Sequence, residues 1–170
     1  LGIVGYGNIG AELSVLAEAL GMEVGFFDVT EKPARGNARP FPSLHDLLAW
    51  ADVVSVHVHG SGQNRHLIGA REFEAMRDGA IFVNLSRGLV VDLEALRDAL
   101  VSGKLRSAAV DVFPNEPRSD GEPFDSPLRG MRNVLLTPHI GGSTVDAQER
   151  VARFVPDKLL GYAEKGSTTH

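Results

Sequence analysis

The chain has 170 residues with a formal net charge of -5, 43% hydrophobic and 23% charged residues, and no cysteine. That size suits one soluble globular domain, which should bury roughly 70% of its unfolded surface, and the acidic balance argues against nucleic-acid or membrane-surface partners, which need clustered Lys and Arg. No apolar run approaches the roughly 20 residues of a membrane span, and the lack of cysteine removes disulfides, thiolate nucleophiles and thiolate metal sites, in keeping with a cytoplasmic location.

The first strand is expected over residues 1–4, so the sequence opens inside an apolar core segment with no basic leader before it and reads as cut from a longer chain. A helix follows over 9–20 and a second strand over 24–27. The stretch 30–42, rich in Pro, Arg and Gly, reads as a surface connection. Next come a helix over 44–50, capped by Ser43 with Asp46 in its first turn, a strand over 53–58, a helix over 72–76, a strand over 80–85, a helix over 93–101 and a strand over 108–113. Gly21 and Gly103 stand where helices should stop. A long Pro- and Gly-rich loop then spans 113–132, a last strand 134–136, and an amphipathic segment 143–162 in which Pro156 should kink or split the helix near Val155. The apolar runs are short and unalternating, as in strands covered on both faces. Strand and helix alternate, which implies an α/β fold, a doubly wound parallel sheet in three layers. Phe73, Met76 and Trp50 follow apolar helix faces and read as core.

Chemistry gathers where strands end. Gly5-Tyr6-Gly7-Asn8-Ile9-Gly10 lies between the first strand and the first helix. In this G-x-G-x-x-G pattern the first glycine allows a tight turn, the second lets a pyrophosphate approach, and the third lets helix and strand pack closely, a Rossmann-type arrangement. Asp28 ends the second strand, where an acid should hold a ribose 2′-hydroxyl and repel a 2′-phosphate, so NAD is expected over NADP. Later strand ends carry Asn84-Leu85-Ser86-Arg87-Gly88, then Asp111-Val112-Phe113-Pro114-Asn115-Glu116-Pro117, then Thr137-Pro138-His139-Ile140-Gly141-Gly142-Ser143-Thr144. A guanidinium can clamp a carboxylate, an imidazole can exchange a hydroxyl proton, and a carboxylate can orient that ring, a set suited to a 2-hydroxy acid. His57 and His59 share one strand face, a spacing open to metal ligation, but no third ligand accompanies them, and no metal is expected.

These motifs, in this order, resemble the cofactor domain of the D-isomer-specific 2-hydroxyacid dehydrogenase family over essentially the whole chain. The Gly5 to Gly10 turn, Pro123-Phe124-Asp125-Ser126-Pro127-Leu128, Leu135-Leu136-Thr137-Pro138-His139 and Gly166-Ser167-Thr168 are most similar to the bacterial branch that oxidises D-3-phosphoglycerate. The resemblance implies a catalytic set of Arg87 on the substrate carboxylate and carbonyl, His139 as general acid and base, and Glu116 as its partner. It implies NAD contacts from Gly5, Tyr6, Gly7, Asn8, Ile9, Gly10, Asp28, His57, Val58, Ser86, Arg87, Asp111, His139, Gly141 and Gly142. Asp111 would hold the nicotinamide carboxamide. The partners implied are a small 2-hydroxy or 2-oxo acid and a second copy of the chain, with residues 89–105 and the loop after Phe113 as candidate contacts. The family usually has proline where this chain has His59, followed by a loop that touches the cofactor. Two other readings stay open: an NAD-sensing module that binds protein partners, and a dehydrogenase for D-lactate or for glyoxylate and hydroxypyruvate. Without the family's substrate domain, the 170 residues should bind NAD weakly and turn nothing over.

Overall fold

The computed structural model describes residues 1–117 and 121–166, which divide into two compact units, Leu1–Thr137 and Pro138–His170. Ser167 and Thr168 of the C-terminal motif lie outside the described residues. The first unit holds strands β1 (Gly2–Val4), β2 (Gly25–Phe27), β3 (Arg39–Pro40), β4 (Val53–Val56), β5 (Ala80–Asn84), β6 (Leu105–Val110) and β7 (Val134–Leu136). Its helices are α1 (Asn8–Ala19), α2 (Leu44–Trp50), α3 (Ala70–Ala75) and α4 (Leu93–Val101). The strands form one parallel sheet in the order β3-β2-β1-β4-β5-β6-β7. The order reverses between β1 and β4, the crevice at which such sheets bind ligands.

Two departures from the sequence expectations concern strands. Inside the expected surface connection, Arg39 and Pro40 pair with Gly25 and Phe26 as a short edge strand, where proline's missing N–H costs no ladder bond. The strand expected to start at 108 begins at Leu105, because pairing with β5 carries it through the polar Arg106 and Ser107.

The core lies on both faces. Val4 packs with Leu47, Leu48, Phe73 and Leu96 from α2, α3 and α4, whereas its neighbour Ile3 packs with Tyr6, Ala11, Ala17 and Phe26 around α1. Adjacent strand residues point to opposite faces, so α1 covers one face and the other three helices the second. Phe73 and Met76 are buried and Trp50 is partly buried against the core, as expected of them. Local signals hold too. The Ser43 hydroxyl accepts the Asp46 N–H at 3.1 Å, and Gly21 and Gly103 follow α1 and α4 with φ of 83° and 79°.

In the second unit, α5 (Val145–Lys165) runs unbroken through Pro156, so the expected split does not occur. Proline removes one bond of the ladder, to the carbonyl of Ala152, while the turns on either side keep theirs. The helix ends are well made: Thr144 accepts the Ala147 N–H at 3.2 Å, and Gly166 closes the helix in the left-handed region.

Candidate active site

The turn between β1 and α1 shows what its three glycines are for. Gly5 has φ of 92°, and a Cβ there would stand 2.9 Å from the carbonyl of His57 and from Val58 Cγ1. Gly10 has no room either, since a Cβ would meet the Gly5 carbonyl oxygen at 2.3 Å. Gly7 differs: a Cβ there would find nothing within 4 Å. It is the N-cap of α1 and has no side chain with which to cap the first N–H groups. Those N–H groups and the open space beside Gly7 fit a pyrophosphate. Asn8 and Ile9 are exposed on the same turn.

Tyr6 pins the turn from inside. Its ring stacks on Phe26 at 3.6 Å, its hydroxyl bonds Ser14 at 2.7 Å, and its backbone N–H donates to Asp28 Oδ2 at 2.8 Å. Asp28 Oδ1 accepts the backbone N–H and the hydroxyl of Thr30 at 3.0 and 2.9 Å. Partial burial works to raise the Asp28 pKa, but the Thr30 and Tyr6 donors, with Lys32 nearby, outweigh it and hold the carboxyl below its ordinary value. It therefore stays charged, as repulsion of a 2′-phosphate requires.

Beyond β4, His57 is half-buried, with Nε2 2.8 Å from Ser55 Oγ, and burial holds its pKa below the ordinary value. His59 is exposed. Among the described residues no group of three or more His, Cys, Asp or Glu could hold a metal ion.

The turn after β5 is bonded down. Asn84, fully buried, accepts the Ser86 N–H at 3.1 Å and the Ser86 hydroxyl at 2.8 Å, and its amide donates to the Arg87 carbonyl at 3.3 Å. Gly88 presses on the next strand end, where a Cβ would stand 2.0 Å from the Phe113 carbonyl carbon. Arg87 Nη1 donates to the Ser86 carbonyl at 2.6 Å, which leaves the Nε and Nη2 edge to present to a carboxylate. On the adjoining loop Glu116 accepts the Phe113 N–H at 2.9 Å, and Asp111 accepts the Thr137 hydroxyl at 2.5 Å. The first unit thus brings together the glycine turn, Asp28, His57, Val58, Ser86, Arg87, Asp111 and Glu116 at the carboxyl edge of one sheet. Asn84 was not assigned a role from sequence, although a polar residue ending an otherwise apolar strand was its available signal.

His139, Gly141 and Gly142 belong to the second unit. His139 has φ of 52°, a left-handed conformation that His adopts more readily than most residues. The segment turns tightly, with the Ser143 N–H donating to the Ile140 carbonyl at 2.9 Å and Gln148 to the Gly142 carbonyl at 2.7 Å, which fixes the approach to α5.

Residues 1–141 match the family model described as "D-isomer specific 2-hydroxyacid dehydrogenase, NAD binding domain". The chain is 51% identical over 168 residues to D-3-phosphoglycerate dehydrogenase of Escherichia coli K12, covering 99% of this chain and 41% of that protein. Among solved structures, a glyoxylate reductase from Paecilomyes thermophila aligns with a TM-score of 0.83 and 35% identity, over 98% of this chain and 49% of that one. The NAD-complexed D-isomer specific 2-hydroxyacid dehydrogenase from Lactobacillus delbrueckii ssp. bulgaricus aligns with a TM-score of 0.82 and 26% identity, over 98% of this chain and 53% of that one. The chain therefore spans about two fifths of the curated relative and half of these structures.

Proposed function

The chain belongs to the D-isomer specific 2-hydroxyacid dehydrogenases, as their NAD-binding domain, and on that premise we propose that it forms half of an active site oxidising a D-2-hydroxy acid, foremost D-3-phosphoglycerate in serine biosynthesis. The observation that supports this most is the Arg87 turn. Its backbone is fixed by buried Asn84, and the guanidinium has one nitrogen on its own backbone and one edge to offer. Arg87 is itself exposed, and with its backbone so fixed it suits a carboxylate better than an arginine on an unrestrained loop would.

In this reading the Gly5 to Gly10 turn and the start of α1 hold the pyrophosphate, Asp28 the adenosine ribose and Asp111 the carboxamide. Bound NAD supplies the hydride acceptor. Arg87 holds the carboxylate and carbonyl, His139 takes the hydroxyl proton on a ring nitrogen, and Glu116 stabilises the imidazolium so formed. The 170 residues act as one dinucleotide-binding domain that needs a second domain to shield the substrate from water. A homodimer through this domain, using residues 89–105 and the loop after Phe113, completes the proposal, and sedimentation of the full-length protein checks it.

The test is His139→Ala in the full-length protein. Turnover of D-3-phosphoglycerate should fall by about 10²–10⁴-fold while NAD affinity stays nearly intact. Equal loss of both would overturn the assignment. No turnover of any D-2-hydroxy acid by the wild type, with tight NAD binding, would favour an NAD-sensing protein-binding module.

A further inference from the structure

We propose that Gly60, on the loop after β4, is a positioning residue for Arg87 and through it sets how well a 2-oxo or 2-hydroxy acid is held. The inference rests on reading Arg87 as the carboxylate clamp. A Cβ at position 60 would stand 2.7 Å from Arg87 Cγ and 3.1 Å from Arg87 Cβ. These are the first atoms of the stem. Asn84 bonds the Arg87 carbonyl and Gly88 sits flush on the Phe113 backbone, so the Arg87 backbone and Cβ are held, and a methyl at position 60 could be relieved only by turning the stem about its first side-chain torsion, which re-aims the guanidinium. The stem of Arg87 therefore lies across the face of Gly60, and with Nη1 on the Ser86 carbonyl it aims the Nε and Nη2 edge.

The glycine is needed for space and not for backbone freedom, since Gly60 is not among the residues with positive φ. Gly62, on the same loop, provides the comparison. It too lacks a positive φ, yet a Cβ there would meet nothing within 4 Å. Gly60→Ala and Gly62→Ala therefore change the unfolded-chain entropy alike and differ in the contact with Arg87.

The experiment is steady-state reduction of glyoxylate, hydroxypyruvate and the phosphate ester of hydroxypyruvate by the full-length protein with NADH, after thermal melts establish that each variant is folded. Gly60→Ala should raise KM for the preferred 2-oxo acid about tenfold or more, because small misplacements of a positioning group carry large kinetic costs. KM for NADH should stay within about twofold, and Gly62→Ala should change neither constant by more than that. In an Arg87→Ala background, Gly60→Ala should add no further loss, as two residues acting through one contact are not additive. Equal effects of the two alanine substitutions in an active enzyme, or full additivity with Arg87→Ala, would overturn this inference alone. A wild-type enzyme inert toward all three acids would overturn it together with the proposed reaction.

Discussion

The turn after β1 is shaped by side chains that are missing, whereas the turn after β5 is shaped by side chains that are bonded down. In the first, Gly5 and Gly10 bring backbone against backbone and Gly7 leaves open space. In the second, Asn84 satisfies two groups of Ser86 and one of Arg87 from a fully buried position. The difference matches what each has to recognise. A pyrophosphate is held by N–H groups that must be approached closely, so the protein clears room. A small carboxylate needs a cation in one orientation, so the protein fixes a side chain. The first turn should be damaged by adding atoms, whereas the second, tight as it also is at Gly88, should be damaged as well by removing the atoms that bond it down.

The largest effect is expected at Gly10. In Gly10→Ala the new methyl would meet a backbone oxygen that has nowhere to go, so stability should drop by about 3 kcal/mol and NAD binding should be lost. Chemical denaturation and NADH titration read the two effects. Asn84→Ala comes next. It leaves the Ser86 N–H, the Ser86 hydroxyl and the Arg87 carbonyl without that partner, at a cost of about 2–3 kcal/mol, and substrate binding should weaken more than NAD binding. If the two ligands weaken equally, the separation between the turns does not hold.

A smaller effect on binding is expected at Asp28, where Asp28→Ser should narrow the preference for NADH over NADPH by about tenfold, with some loss of stability because the Tyr6 and Thr30 donors lose their carboxylate acceptor. Competitive titration of the two cofactors reads it. The smallest is a pH effect at His57. Burial keeps this ring below its ordinary pKa, so as pH falls through the unfolded value of about 6.5 the unfolded chain takes up a proton that the folded protein refuses. The His57 contribution to stability should therefore be level above that pH and decline below it, and His57→Gln should remove that part of the decline.

Much of this was legible in the sequence because the governing forces are local. A short apolar run ending at Gly5-Tyr6-Gly7 and passing straight into a helical pattern is a strand, a turn and a helix start. The acid at Asp28 follows from the register of the next strand. What stayed hidden depended on partners distant in the chain. Arg39 and Pro40 look like loop until β2 offers an edge to pair with. Arg106 and Ser107 look like a break until β5 carries them into the sheet. The value of Gly60 as empty space is invisible without Arg87 lying across it. At Pro156 the sequence allowed a kink or a split, and of the two the split does not occur, because the helix is capped at both ends and continues past the missing bond.

The most direct test of the central claim, that the glycine turn and Asp28 form an NAD site, is a titration of the 170-residue chain with NADH and NADPH by calorimetry. The account predicts saturable, weak binding of NADH, clear preference over NADPH, and loss of both the signal and the preference in Gly10→Ala. No binding of NADH, or equal binding of the two cofactors, would contradict it.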